Sequence, residues 1–135
     1  MRVFLDTNVL VSAFTTRGLC ADVVKAVLLR HDLVVSVRVL DELEWVLVTK
    51  MGLPVAVMNG IIEIAGSGEV VGEEASQPVQ GISDPDDAIL LASAIAAAAE
   101  VLVTGDKDLL VVADDVTAIA ILSPRQFWER LRQHP

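Results

Sequence analysis

Carboxylates stand where the short apolar runs of this chain stop. Asp6 follows Val3-Phe4-Leu5, Asp106 follows Val101-Leu102-Val103-Thr104 and Gly105, and Asp84, Asp86 and Asp87 open an alanine-rich run. Short apolar runs without alternation suit strands buried on both faces of a parallel sheet. In open α/β sheets the ligand crevice lies beyond the carboxyl ends of the strands. Asp6 and Asp106 thus fall where such a domain keeps its chemistry. A plainer reading stands beside this one: each is the N-cap of the next helix, because Asp accepts hydrogen bonds from free N–H groups there. Asp108 reads equally as a first-turn acid favoured by the helix dipole.

Capping also covers part of the third cluster, with Asp84 before Pro85 and Asp87 three residues on as in a capping box. Three carboxylates within four residues exceed what capping needs. Asp84 and Asp87, spaced i, i+3, face the same way. Like charges this close raise one another's pKa unless a cation neutralises them. A further acid comes from the helix beginning at Val39, whose apolar face gathers Val39, Leu40, Leu43, Val46 and Leu47. On a wheel of about 100° per residue Asp41 lies opposite that face as solvated surface, and Glu42 and Glu44 flank it. The wheel does not choose between the two glutamates. If these acids converge, the ligand set is oxygen only, since neither His31 nor His134 lies near a strand end. Hard oxygen ligands select Mg²⁺ or Mn²⁺ over zinc or copper. Such a site suits phosphoryl chemistry, because the metal activates a water and offsets charge on phosphate oxygens.

The elements that must position these acids alternate along the chain. Strands are predicted at Arg2–Leu5, Leu33–Val37, Glu69–Val71, Val101–Thr104 and Val116–Leu122. Helices are predicted at Asn8–Phe14, Ala21–Arg30, Val39–Lys50, Val55–Ala65, Asp86–Ala99, Lys107–Val112 and Pro124–Gln133. Gly72–Ser83 has no periodicity and reads as a long loop, a type that is often functional. The alternation predicts a three-layer α/β/α sandwich with a five-stranded, mainly parallel sheet.

Composition narrows the function classes. The 135 residues fit a single domain, 1–135, with room for a core. Apolar residues make up 53%, so the surplus belongs in the core or at a subunit interface. The longest apolar stretch, Ala88–Ala99, falls short of the ~18 residues a membrane span requires. No charged leader precedes a long apolar core, which points to the cytoplasm. The lone Cys20 has no internal partner and no histidine at metal-ligand spacing. A net charge of −9 leaves no standing basic surface for nucleic acid. Attraction for phosphate must come from bound cations, a basic partner or local bases such as Arg17, Lys25, Arg38, Lys50 and Lys107.

Taken together, Asp6-Thr7-Asn8, Ser36 through Glu42-Leu43, Asp84-Pro85-Asp86-Asp87 and Thr104-Gly105-Asp106-Lys107-Asp108 resemble the PIN-domain ribonucleases. The nearest group is similar to the toxin–antitoxin PIN proteins, akin to the VapC toxins. The resemblance runs over essentially the whole chain, through Ser123-Pro124-Arg125-Gln126-Phe127. It implies a catalytic and metal-binding set of Asp6, Glu42, Asp87 and Asp106, with Thr7, Asn8, Asp84, Thr104 and Asp108 auxiliary. Glu42 is chosen because the family pairs this glutamate with a following leucine. The resemblance further implies Mg²⁺- or Mn²⁺-dependent endonucleolytic cleavage of RNA, a homodimer and a cognate antitoxin. Close relatives often carry a basic residue before the Asp-Pro, where this chain has Ser83.

Two other classes compete. A catalytically silent PIN-fold module would dock a partner protein or RNA, and the near-intact acid set argues against it. An aspartyl phosphatase would want a second Asp two positions after its nucleophile, where Asn8 stands, and a receiver domain would want a phosphoacceptor closing Leu33–Val37, where there is none.

Overall fold

The computed structural model describes residues 1–72 and 78–134. Its centre is a five-stranded sheet of β1 (Arg2–Leu5), β2 (Asp32–Ser36), β3 (Glu69–Val71), β4 (Val101–Val103) and β5 (Ala120–Leu122), ordered β3-β2-β1-β4-β5. Every pairing is parallel, with Val3 opposite Leu33 on one side and Val101 on the other. Phe4, Leu5, Val34, Val35, Leu102 and Val103 are fully buried, as their unbroken apolar runs require.

The connections explain the layers. From β1 the chain passes through α1 (Thr7–Thr15) and α2 (Leu19–Arg30) to β2, then through α3 (Val37–Trp45) and α4 (Val55–Ala65) to β3. It then reverses direction across the sheet through α5 (Pro85–Ala96) to β4 and α6 (Lys107–Val111) to β5. Right-handed crossovers put α1 to α4 on one face and α5 with α6 on the other. The closing helix α7 (Pro124–Gln133) packs beside α2, with Phe127 fully buried and edge-on to His31. The direction of winding reverses at β1, so β1 and β4 flank the topological switch point, where open sheets leave a crevice.

Several element ends differ from the sequence expectation. The second strand stops at Ser36 rather than Val37, because the Ser36 hydroxyl accepts from the Val39 N–H at 3.1 Å and caps α3. The expected helix Val39–Lys50 is α3 followed by a π-helical turn, Val46–Lys50, with Leu43 and Leu47 fully buried on either side. The alanine-rich helix begins at Pro85 and ends at Ala96, short of the expected Ala99. The Arg2 guanidinium from β1 donates to the Ala97 carbonyl, and Ala98 turns the chain at φ 56°. The fifth strand begins at Ala120 rather than Val116, since Ala120 pairs with Val101 and β4 extends no further back. Of the expected loop Gly72–Ser83, residues 73–77 lie outside the described residues, and 78–83 form no helix or strand. Among the described residues no helix is long and apolar enough to cross a membrane.

One position outside the crevice fixes the sheet edge. A Cβ on Gly68, just before β3, would sit 2.2 Å from the Leu33 carbonyl oxygen, which is backbone and cannot swing aside. Gly68→Ala is expected to lift β3 off β2 and cost roughly 1–3 kcal/mol, as overpacking does. Urea denaturation measures this, and an unchanged midpoint would refute the close approach.

Candidate functional site

The carboxyl ends of β1 and β4, together with the first turns of α1, α3 and α5, enclose a cleft of about 880 Å³. Asp6, Thr7, Asn8, Glu42, Asp84, Asp87 and Asp106 all line it. The four acids singled out as a catalytic set therefore meet in one cleft, although they are spread over 101 positions of sequence, from 6 to 106. Glu44 is not among the lining residues, so of the two glutamates that flank the α3 face only Glu42 turns inward.

Asp6 is the buried centre of a hydrogen-bond network. Its backbone N–H continues the sheet by donating to the Val103 carbonyl at 3.1 Å, which fixes the residue between β1 and β4. One carboxylate oxygen accepts from the Thr7 N–H at 2.7 Å and so caps α1. The other accepts from the Thr104 hydroxyl at 2.7 Å and the Asn8 amide at 3.1 Å. Burial pushes the Asp6 carboxyl above its ordinary value, and Glu42 and Asp106 push in the same direction. The bonds from Thr104 and Thr7 pull against that shift.

Thr7, Asn8 and Thr104 extend the network to the neighbouring acids. The Thr7 hydroxyl donates to Glu42 at 3.2 Å. Asn8 uses its carbonyl oxygen for the Gly105 N–H at 2.9 Å, which ties α1 to the β4–α6 turn. The Thr104 oxygen in turn accepts from the Asp106 N–H at 3.0 Å. Gly105 leaves little room here, since a Cβ would meet the Asn8 oxygen at 3.2 Å.

Capping and cleft lining turn out to be one arrangement. Asp106 caps α6 by accepting from the Asp108 N–H at 2.9 Å, and Asp84 caps α5 by accepting from the Asp86 and Asp87 N–H groups at 2.8 and 3.4 Å. With Asp84 taking the cap, Asp87 is left free of helix duties. One of its carboxylate oxygens is buried without a hydrogen-bond partner among the described residues. Burial, followed by the charge of Asp106, a hydrogen bond with Asp106, and the charges of Asp84 and Asp6, pushes the Asp87 carboxyl up to about 7. Asp87, Asp106 and Asp108 each offer a carboxylate oxygen, and these atoms lie within 4.8 Å of one another. Such a trio of oxygens could supply part of the oxygen coordination that a hard divalent cation takes.

The sequence reading missed parts of the lining. Asp41, read as solvated surface, is exposed yet forms part of the cleft wall, as does Asp86. Among the described residues lining the cleft the only cation is Arg38. Of the other bases considered, Lys25 borders an apolar groove between α1 and α2, and Lys50 lies 5.2 Å from the centre of the Trp45 ring. A helical wheel carries no signal for Asp41, because it omits the wall that α5 supplies.

The model of the PIN domain family matches residues 2–108. Among solved structures, this fold is similar to a chain in the crystal structure of VapBC2 from Rickettsia felis bound to a DNA fragment from their promoter. The TM-score is 0.63 at 16% identity, covering 91% of this chain and 98% of that one. At that identity the likeness is one of fold. No curated protein matches the sequence significantly.

Proposed function

The chain belongs to the PIN-domain family, and from that premise we propose that it is a Mg²⁺- or Mn²⁺-dependent endoribonuclease. The observation that carries this reading is the buried oxygen of Asp87, without a hydrogen-bond partner among the described residues, in the trio it forms with Asp106 and Asp108. Buried carboxylate oxygens are nearly always partnered, so one left open within an all-oxygen donor set fits a hard cation. Asp6, Glu42, Asp87 and Asp106 would hold the metal, with the Asp108 carboxylate beside Asp87 and Asp106 and Asp84 capping α5. When bound, the ion would lower the pKa of a water and offset charge on the scissile phosphate.

The chain's own groups set the geometry. Thr7, Asn8 and Thr104 hold Asp6 in one orientation, and the bonds from Thr104 and Thr7 offset part of the penalty that burial places on its charge. Glu42, at the exposed rim, is steadied by the Thr7 hydroxyl. Water adds to phosphorus in line with the departing 3′-oxygen, which takes up a proton, leaving a 5′-phosphate and a 3′-hydroxyl. Cleavage of total RNA with Mn²⁺, abolished by EDTA, tests the reading. No cleavage of any RNA pool, alongside a stable protein complex, would favour a silent docking module.

Thr104 carries a further expectation. Thr104→Val removes the hydroxyl that bonds Asp6 and accepts from the Asp106 N–H, and groups that orient metal ligands are typically worth ~10–100-fold in metal affinity. Titration calorimetry with Mn²⁺ should show a loss in that range, and an unchanged affinity would remove Thr104 from the site.

In keeping with the fold likeness to VapBC2, we read the chain as the toxin of a toxin–antitoxin pair with an antitoxin protein as partner, and we propose a homodimer as its working unit. Trp45, Val55, Val57 and Ile64 are exposed on α3 and α4 and offer apolar surface for such contacts. Sedimentation of the purified chain, and co-purification with the product of an adjacent short reading frame, test the two assemblies.

A further inference from the structure

We propose that Arg38 is the phosphate-binding residue of the cleft, held by Asp86 until an RNA phosphate displaces that carboxylate. The inference rests on the ribonuclease reading above and adds to it the group that receives the substrate's backbone. The cleft wall carries Asp41, Glu42, Asp84 and Asp86 besides the buried acids, and Arg38 is the one cation among the described lining residues. A polyanion entering so acidic a wall needs positive charge away from the metal ligands, because cations at Asp87 and Asp106 leave the rim uncompensated.

The placement of Arg38 meets that need. It lies in the first turn of α3, four residues before Glu42 and therefore on the same side of the helix. Its guanidinium forms an ion pair with Asp86 in the first turn of α5, so the pair spans the mouth of the cleft from one wall to the other. The side chains are 40% and 74% exposed. Pairs this open to water contribute little and exchange readily. A phosphate presents two oxygens in the plane that a guanidinium fork matches.

The test sets Arg38→Ala against Asp86→Asn. Breaking a purely structural strap from either end would shift activity in the same direction. A phosphate-binding Arg38 restrained by Asp86 predicts opposite shifts. Arg38→Ala should raise KM for a single-stranded RNA about 5–10-fold, with the loss falling on KM rather than kcat, as expected for one charge-assisted contact to phosphate. Asp86→Asn should lower KM about 2–3-fold by removing a rim acid that repels the RNA backbone and competes with it for Arg38. Binding of fluorescein-labelled RNA, read by anisotropy in EDTA across a salt series, gives a second readout that needs no catalysis. Losing one phosphate contact should reduce the slope of log K against log salt by about one. Arg38→Lys, which keeps the charge without the fork, should fall between the wild type and Arg38→Ala. Shifts of the same sign in Arg38→Ala and Asp86→Asn, or an unchanged KM and salt slope in Arg38→Ala, would overturn the proposal. A wild type that binds RNA but does not cleave it with Mn²⁺ defeats the ribonuclease reading and leaves the anisotropy series to decide Arg38. A wild type that binds no RNA defeats both.

Discussion

Asp6→Asn should abolish Mn²⁺-dependent RNA cleavage, lowering the rate by at least two to three orders of magnitude. A metal-held carboxylate supplies several kcal/mol of transition-state stabilisation, and each 1.36 kcal/mol is about a factor of ten in rate. Stability should respond quite differently. Two terms favour the variant, since a buried charge is removed and the repulsion from Glu42 and Asp106 goes with it. One term opposes it. Asp6 accepts on both oxygens, from the Thr7 N–H on one and from the Thr104 hydroxyl and Asn8 amide on the other. An asparagine must turn its NH₂ toward one of those donors. The Thr104 hydroxyl can rotate, but flipping Asn8 would strip the Gly105 N–H of its acceptor. An unmet donor costs about 1–3 kcal/mol, comparable with the gain, so the metal-free melting temperature should hold within a few degrees. The separation of effects is diagnostic: Mn²⁺ should raise the melting temperature of the wild type and leave that of the variant unmoved. Cleavage undiminished in Asp6→Asn and sensitive to EDTA would defeat the assignment.

How much of this was legible in the sequence depends on whether the signal is local. The strands β1, β2 and β4 are built on continuous apolar runs, α4 carries its own stop in Gly66-Ser67-Gly68 and α7 its own start in Ser123-Pro124, so these features are encoded where they occur. The start of α5 is equally local, because Asp84-Pro85 spells a cap and a first turn. Its end is not. Alanine through position 99 has no stop signal, and the helix ends where Arg2 from another strand donates to the Ala97 carbonyl. The start of β5 is set in the same way from outside, by where β4 begins. Ser36 reads as strand because Val35-Ser36-Val37 has strand-like residues on both sides, yet its hydroxyl caps α3. In the cleft, Asp6 and Asp106 were legible as acids at strand ends, whereas capping and ligation looked like rival roles. The structure shows each carboxylate using one oxygen for its cap, so the rivalry was one of counting atoms. Asp41, Arg38 and Asp86 line one cleft only once α3 and α5 are set across it from each other, a relation no single segment contains.

Asp87 supplies the second large expected effect, on the dependence of metal binding and stability on pH. Its carboxyl is raised to about 7 in the folded chain from an ordinary 3.8, by burial first and then by Asp106, Asp84 and Asp6. Between those values the folded protein holds a proton that the unfolded chain has released. Stability therefore falls as pH rises through that window, because the slope follows the protons bound by the unfolded state less those bound by the folded state. Asp6, also raised, adds to the same sign. The metal-free protein should thus resist urea better at pH 5 than at pH 8, and Asp87→Asn should flatten the difference. Metal reverses the slope. A cation must displace the proton that the raised Asp87 carboxyl holds, so Mn²⁺ affinity should rise about tenfold per pH unit below about 7 and level off above it. Cleavage limited by metal occupancy should follow the same curve. In Asp87→Asn the affinity should be lower throughout and nearly independent of pH above 5. A wild-type Mn²⁺ affinity that stays flat from pH 5 to 8 would mean that Asp87 does not hold its proton at the site where the ion binds, and the unpartnered oxygen would then need another explanation.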